Sequence, residues 1–168
     1  MKRIIAALGT AFVLTLAANA QNSAVVKSAT LTDYGIYRIK LTGEHIMTAT
    51  AESGAIQPAS ESILIAKTNQ VPAVVGTTFG FHFTLKGEPA GAPAQVVVIV
   101  KHPPFKKPNG EITGTTDRIP WWYRTDQRVG YTYTFDHQWE AAPGVWTFEV
   151  WDGEQKLVAQ EFAVYSDQ

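Results

Sequence analysis

The sequence contains no cysteine, and this absence excludes several kinds of site at once. Without cysteine the chain can form no disulfide, no thiolate metal site, no cysteine nucleophile and no lipid-modified N-terminal cysteine. Charged residues make up only 17% of the 168 residues and hydrophobic residues 45%, a balance typical of a packed globular chain rather than a disordered one. The hydrophobic core alone must therefore hold the fold together.

The chain also lacks an excess of positive charge. It carries 14 basic and 15 acidic residues, and two of the basic ones, Lys2 and Arg3, lie at the N-terminus. Residues 21–168 therefore hold 12 basic and 15 acidic residues, a net charge of −3. So weakly acidic a body has no strong electrostatic reason to bind nucleic acid or an anionic membrane, and we predict neither as a partner.

The N-terminal segment has the pattern of a secretory signal peptide. A basic start is followed by an apolar run over residues 4–16 and then by Ala18-Asn19-Ala20, whose small residues a signal peptidase recognises. The apolar run is shorter than the roughly 20 residues that a membrane-spanning helix needs. We therefore predict a removed signal peptide over 1–20, a single domain over 21–168, and a periplasmic or secreted location in a Gram-negative bacterium.

After this segment, hydrophobic and polar residues alternate with the period of β-strands rather than helices. The count of such segments gives about six to eight short strands and no amphipathic helix of ten residues. We predict an all-β fold, an antiparallel two-sheet sandwich of the immunoglobulin type, with a closed barrel as the alternative because strand number cannot separate the two. The main segments lie at residues 34–41, 63–66, 79–85, 96–100, 131–135 and 146–151.

A hairpin is predicted at the C-terminus. Asp152-Gly153 suits a tight turn between a strand through Trp146 and a return strand through Phe162. Leu157 and Phe162 have opposite parity, so they share a face only if a bulge near residues 158–160 inserts an extra residue.

The residues of this hairpin resemble a known family. The run Pro143–Gly153, followed by Leu157 and then Phe162-Ala163-Val164, resembles the last hairpin of small exported bacterial immunoglobulin-like domains. More narrowly, it is similar to a family catalogued only as a domain of unknown function. The resemblance implies a non-catalytic bacterial β-sandwich and carries no functional residue over to this chain.

The segment from His102 to Val129 is predicted to be one long loop, because it is far longer than ordinary connections and rich in proline. Asn109-Gly110 has hairpin-turn chemistry and predicts a small β-arm within it. In one interpretation the loop presents an exposed aromatic and basic binding patch. In the other, which we favour, consecutive tryptophans straddle a strand and one enters the core. The candidate binding residues are Lys106, Lys107, Arg118, Trp121, Trp122, Tyr123 and Arg124.

Motifs for catalysis or metal binding are missing from the sequence. No histidine pair has ligand spacing, so no metal site is predicted from His45, His82, His102 and His137. No Gly-x-Ser-x-Gly, phosphate loop or dinucleotide fingerprint occurs, and no cofactor is predicted. Paired carboxylates could in principle hydrolyse glycosides, but no spacing rule selects a pair from Asp117, Asp126, Asp136 and Glu140.

These observations favour binding over catalysis. The leading hypothesis is an exported interaction module of the bacterial envelope that engages a protein, or a second copy of itself, through the aromatic loop or an uncovered sheet edge. The alternative is a carbohydrate-binding module with an aromatic platform at residues 121–123, in which Trp121, Trp122 or Tyr123 stacks on sugar. An envelope hydrolase is the third and weakest hypothesis.

Overall fold

The computed structural model describes residues 23–44 and 46–166, so the predicted signal peptide and His45 lie outside the described residues. The described residues form eleven β-strands. They include no helix long and apolar enough to cross a membrane. The strands are β1 Val25–Leu41, β2 Ile46–Met47, β3 Ala55–Ile56, β4 Ala59–Ala66, β5 Gln70–Pro72, β6 Thr78–Glu88, β7 Pro93–Lys101, β8 Thr116–Arg124, β9 Arg128–Thr134, β10 Gly144–Asp152 and β11 Gln155–Tyr165.

Nine of the strands form two sheets that face each other. The four-stranded sheet has the order β4-β1-β6-β9, and the five-stranded sheet has the order β5-β11-β10-β7-β8. Neighbours in both sheets are antiparallel except β5 and β11, which are parallel. The predicted all-β sandwich is therefore confirmed. The strands outnumber the six to eight predicted because β2, β3 and β5 are too short to show a period.

The core lies between the sheets and is mostly aromatic. Phe79, Phe81 and Phe83 of β6 point inward and are fully buried, as their alternation predicts. They meet Trp146 and Phe148 of β10, with ring centroids 5.5 Å apart for Phe79–Trp146 and 5.3 Å for Phe79–Phe148. Each such burial contributes roughly 1.5–3 kcal/mol, which is how a chain without disulfides holds two sheets together.

The C-terminal hairpin and its bulge are confirmed. Val150 pairs with Val158 and Trp151 with Lys156, so Leu157 is the extra residue. The extra residue lies one position before the predicted range of 158–160, on the side of the turn. The bulge brings Leu157 onto the core face that Phe162 also occupies.

The open side of the sandwich is formed by β1 and by the connection that follows it. β1 pairs with β6 over most of its length and with β4 near its end. The connection that follows, residues 42–58, is here called the arch. It crosses to β8, where the Arg118 backbone N–H donates to the Thr50 carbonyl (3.0 Å) and the Glu52 N–H donates to Asp117 Oδ1 (2.8 Å).

The prediction of one long loop over residues 102–129 is wrong. That segment contains all of β8 and the start of β9, and only residues 102–115 and 125–127 lie outside a regular strand. Within it Lys106 pairs with Ile112 around the Asn109-Gly110 turn, so the small β-arm is confirmed. The strand β8 was not predicted because it contains Pro120, a residue that usually interrupts strands. Proline is tolerated there because β8 is an edge strand and needs no N–H donor on its free side.

Candidate functional site

A groove of about 720 Å³ lies on the open side of the sandwich, alongside the edge strand β9. The arch and the first residues of β4 form one wall, and β9 forms the other. This volume is within the range of known ligand sites. The groove is therefore a candidate binding site.

On its groove side β9 has backbone N–H and C=O groups that do not hydrogen-bond to another strand. Phe135 N–H bonds back toward β6 by donating to the Thr77 carbonyl, whereas the Gly130 carbonyl accepts from Tyr123 Oη (3.1 Å) on the opposite side. Because backbone groups alternate along a strand, Thr132 and Thr134 also direct their N–H and C=O groups away from β6. Among the described residues these groups have no hydrogen-bond partner.

Hydroxyl side chains and a charged cluster line the outer side of the groove. Thr78 and Thr134 share a hydrogen bond of 2.8 Å between their hydroxyls. Further along the same sheet, opposite His82 of β6, Asp33 accepts hydrogen bonds from three side chains, which are Tyr37 Oη, His82 Nδ1 (2.9 Å) and Arg128 Nη2 (2.7 Å). A register shift in β1 next to Asp33 brings it opposite His82.

These contacts set the charge states of the cluster. Burial lowers the pKa of His82, and the hydrogen bond to Asp33 opposes this without overcoming it, so His82 is neutral at pH 7. Burial alone would raise the pKa of Asp33, but its three hydrogen bonds outweigh burial and hold the pKa below its usual value. The cluster therefore carries one anion, Asp33, next to one cation, Arg128.

Gly130 makes room for the His82 ring. The two residues lie opposite each other on β9 and β6. A Cβ at Gly130 would lie 2.4 Å from His82 Cδ2 and 2.7 Å from the Phe81 carbonyl oxygen, closer than real Cβ atoms come. The missing side chain thus leaves space for the imidazole next to β9, where both residues line the groove.

Aromatic side chains line the inner side of the groove. Trp121, Tyr123, Tyr131 and Tyr133 all reach it from β8 and β9. Burial raises the pKa of Tyr123, Tyr131 and Tyr133 far above the usual value, so all three remain neutral phenols. Tyr133 Oη is buried without a hydrogen-bond partner among the described residues. The groove therefore combines apolar ring surface with hydrogen-bonding hydroxyls.

The predicted aromatic patch at residues 121–123 is not one surface. Trp121 packs against the core and Tyr123 is buried, whereas Trp122 is 54% exposed on the opposite face of β8. Successive side chains of a strand point to opposite faces, so three consecutive rings cannot form one stacking surface. The interpretation that the tryptophans straddle a strand is confirmed, and the three rings do not form one exposed patch. Stacking of one of these rings on a sugar stays a prediction.

The predicted basic residues separate in the same way. Arg118 and Arg124 share the outward face of β8 with Trp122. Lys106 and Lys107 lie on the β-arm that precedes β8, where Lys107 pairs with Glu111 (3.2 Å). They precede β8 and so lie on the Arg118 side of that strand along the chain, away from Arg124.

The three described histidines, His82, His102 and His137, have separate ring contacts. His82 lies on the outer face of the four-stranded sheet, whereas His102 stacks on Phe105 with ring centroids 4.2 Å apart inside the sandwich. His137 stacks on Trp139 (5.5 Å). Among residues 23–44 and 46–166 no three His, Asp or Glu side chains lie close enough to hold a metal ion.

The four carboxylates considered for hydrolysis do not form one cluster among the described residues. Asp117 Oδ1 lies 3.6 Å from His102 Nε2 in the interior. Asp126 pairs with Lys86 (2.6 Å). Glu140 accepts from the backbone N–H groups of Asp136 and His137, and burial raises its pKa. Asp117 and Asp126 are therefore engaged at different places, whereas Asp136 and Glu140 are neighbours that both line the groove.

Sequence reasoning missed the groove residues. Asp33, His82, Arg128 and Thr132 come from three strands and meet only through sheet pairing. The available signal was Gly130, an isolated glycine within an alternating strand, which often marks a close approach of another group.

Comparisons with known proteins agree with this fold. A family model described as Domain of unknown function (DUF3859) matches residues 25–164. Among solved structures, an immunoglobulin-like protein from Pseudomonas aeruginosa is similar, with a TM-score of 0.58 and 20% identity over 87% of this chain and 99% of that chain. At that identity the likeness concerns the fold alone.

A second solved structure is only weakly similar. The Pseudomonas fluorescens alkylpurine DNA glycosylase AlkC, bound to DNA containing an abasic site analog, has a TM-score of 0.37 and 15% identity over 79% of this chain and 30% of that chain. This likeness carries no argument about the present chain. No match was found among the curated proteins.

Proposed function

This chain belongs to the DUF3859 family, and from that premise we propose that it is a non-catalytic binding module that adds an extended peptide of a partner protein to the free edge of β9. The observation that carries the proposal is the row of unpartnered backbone groups of Thr132 and Thr134 along the wall of a large groove. Strand addition satisfies such groups directly and gives affinity through main-chain hydrogen bonds.

The two sides of the groove supply specificity to this mode of binding. Side chains of an added strand alternate between its two faces. One set would meet the rings of Trp121 and Tyr131, and the other would meet the hydroxyls of Thr132 and Thr134 beside His82. The bound segment would therefore alternate apolar residues with hydrogen-bonding ones.

The state of the polar groups supports binding rather than catalysis. Tyr37, His82 and Arg128 are all committed to Asp33, and Thr78 and Thr134 are paired with each other. A nucleophilic mechanism requires a base aligned on a nucleophile. Neutral His82 donates to a carboxylate here, and no serine or threonine hydroxyl among the described residues donates to its ring.

We also propose that the module acts after export to the bacterial envelope. The basic start, apolar run and small residues of positions 1–20 support this. Expression of the full chain in a Gram-negative host, followed by fractionation and N-terminal sequencing, should give a periplasmic or secreted protein that begins at Gln21. A cytoplasmic protein that keeps its first 20 residues would contradict it.

The peptide proposal is tested by selecting ligands and then removing one donor. A displayed library of random ten-residue peptides is selected on the purified protein, and the selected peptides are titrated against two variants. Thr132→Pro removes the outward N–H without removing a bond to β6, whereas Thr132→Val keeps the N–H and removes only the hydroxyl. We expect Thr132→Pro to weaken binding at least tenfold and Thr132→Val to weaken it less than threefold.

Two results would contradict the proposal. One is the failure of any peptide to be enriched. The other is equal binding by Thr132→Pro and the unmodified protein, provided that the melting temperatures of both variants stay close to that of the unmodified protein.

A further inference from the structure

The outward face of β8 carries a second surface, separate from the groove. Arg118, Pro120, Trp122 and Arg124 alternate with inward residues and are all exposed. They are here called the β8 stripe. At the usual rise per residue the stripe is about 20 Å long, with Trp122 about 7 Å from Arg124 and about 13 Å from Arg118.

The stripe joins flat apolar surface to fixed positive charge. Trp122 keeps 54% of its surface exposed and lies opposite Gln95 of β7. Pro120 lies opposite Val97, which extends the apolar strip toward the middle of the sheet. The guanidinium of Arg124 is held by a hydrogen bond from Nη1 to the Gly91 carbonyl (3.0 Å).

A shallow depression of about 250 Å³ lies at the other end of the stripe, beside Arg118. Ile99 and Trp151 line it. The nearby carboxylate of Glu149 is already engaged by Lys101 (3.1 Å) and Lys156 (3.3 Å). The carboxylate of a second acidic residue, Glu154, lines the depression. Its negative charge repels an anion there.

The edge of β8 restricts what this surface can recognise. The Arg118 N–H is bound to Thr50, and Pro120 has no N–H, so an added peptide strand would find no row of donors. Recognition must therefore come from the side chains of the face. A ring with a flat C–H surface packs on indole and proline, and a carboxylate fits the planar fork of arginine.

We propose that the β8 stripe binds a polymer of acidic sugars. One sugar ring stacks on Trp122, and carboxylates of flanking sugars pair with Arg118 and Arg124. The positive charge of the stripe within a body of net negative charge supplies the complementarity to an anionic chain. This site does not depend on the peptide groove.

Calorimetric titration with oligomers of polygalacturonate tests the proposal. Dextran of equal length is the neutral comparison, and polyglutamate is the acidic peptide comparison. We expect the protein to bind polygalacturonate and neither of the two comparison polymers. This binding should be at least tenfold weaker in Trp122→Ala and in the double variant Arg118→Ala/Arg124→Ala, and added salt should weaken it. Trp122→Phe should retain most of the affinity, and Glu154→Gln should increase it.

Arg38→Ala is the matched control, because Arg38 is an exposed arginine of the other sheet. This variant should bind polygalacturonate as tightly as the unmodified protein does. Thr132→Pro should also bind the sugar polymer normally, which separates this site from the groove. The proposal is overturned if polygalacturonate does not bind, if dextran or polyglutamate binds equally well, or if Trp122→Ala binds like the unmodified protein.

Discussion

The strands β8 and β9 flank the same opening of the sandwich, yet their free edges differ. On β8 the Arg118 N–H donates to Thr50 of the arch and Pro120 has no N–H, so the row of outward donors is interrupted. On β9 Thr132 and Thr134 leave their outward backbone groups open along the groove. An exposed edge invites association, and proteins usually block it. The edge left unblocked is therefore the one that we assign to a partner.

The two strands resemble each other on their inward faces. β8 contributes Ile119 and Tyr123 to the interior, and β9 contributes Tyr133. The contrast between the strands thus lies in backbone accessibility and in the outward face, not in packing. It teaches that core-forming ability and binding ability are separable properties of an edge strand.

The largest expected effect contrasts the two adjacent tryptophans of β8. Trp121→Ala should lower the free energy of unfolding by about 2–3 kcal/mol because its ring packs against the core. Trp122→Ala should change it by no more than about 0.5 kcal/mol because its ring is exposed. Urea denaturation of both variants measures this. Equal losses would show that the two faces of β8 are not as different as described.

A smaller effect is expected from filling the space at Gly130 of β9. Gly130→Ala should destabilise the protein by about 1–3 kcal/mol, because the added methyl group overlaps the His82 ring and the Phe81 carbonyl. Gly114→Ala, on the loop before β8, is the matched control. Its Cβ would meet only the flexible end of Glu52, so a loss below about 0.5 kcal/mol is expected. Thermal melting compares them, and similar losses would contradict the tight fit at β9.

The smallest effect concerns pH. The pKa of His82 is lower in the folded than in the unfolded protein, so the unfolded state binds the extra proton first as pH falls below about 6.5. Stability should therefore decline between pH 7 and pH 5. His82→Asn keeps a donor for Asp33 but cannot titrate, and should reduce this decline. Denaturation midpoints at pH 7, 6 and 5 measure it, and an identical decline in both proteins would rule out His82 as its source.

The fold was largely predictable from sequence because its signals are local. Alternation around Phe81 and Trp146 identified strands, the Asp152-Gly153 turn identified the hairpin, and parity required the bulge at Leu157. The family resemblance, based on this hairpin, is likewise confirmed. Where a local rule misled, as at Pro120, the reason was the position of the strand at a sheet edge, which local sequence does not reveal.

The groove was not predictable in the same way. Asp33 meets His82 and Arg128 only after β1, β6 and β9 have paired, and the register shift in β1 decides that alignment. The arch reaches β8 through backbone atoms of Thr50 and Glu52, which leave no mark in the sequence. Sites that are built from distant strands and main-chain contacts therefore cannot be predicted from residue patterns in the sequence.

The long shared strand β1 has a consequence for how the chain acquires its structure. Val25 at its start pairs with Glu88, and this ladder must bring together residues that are distant along the chain. Such non-local pairing places folding in the slow regime of milliseconds to seconds that is typical of sandwiches. The hairpin of β10 and β11 closes through neighbouring residues and is able to form first. β1 is synthesised before β6, so it can form this ladder only after β6 has been made.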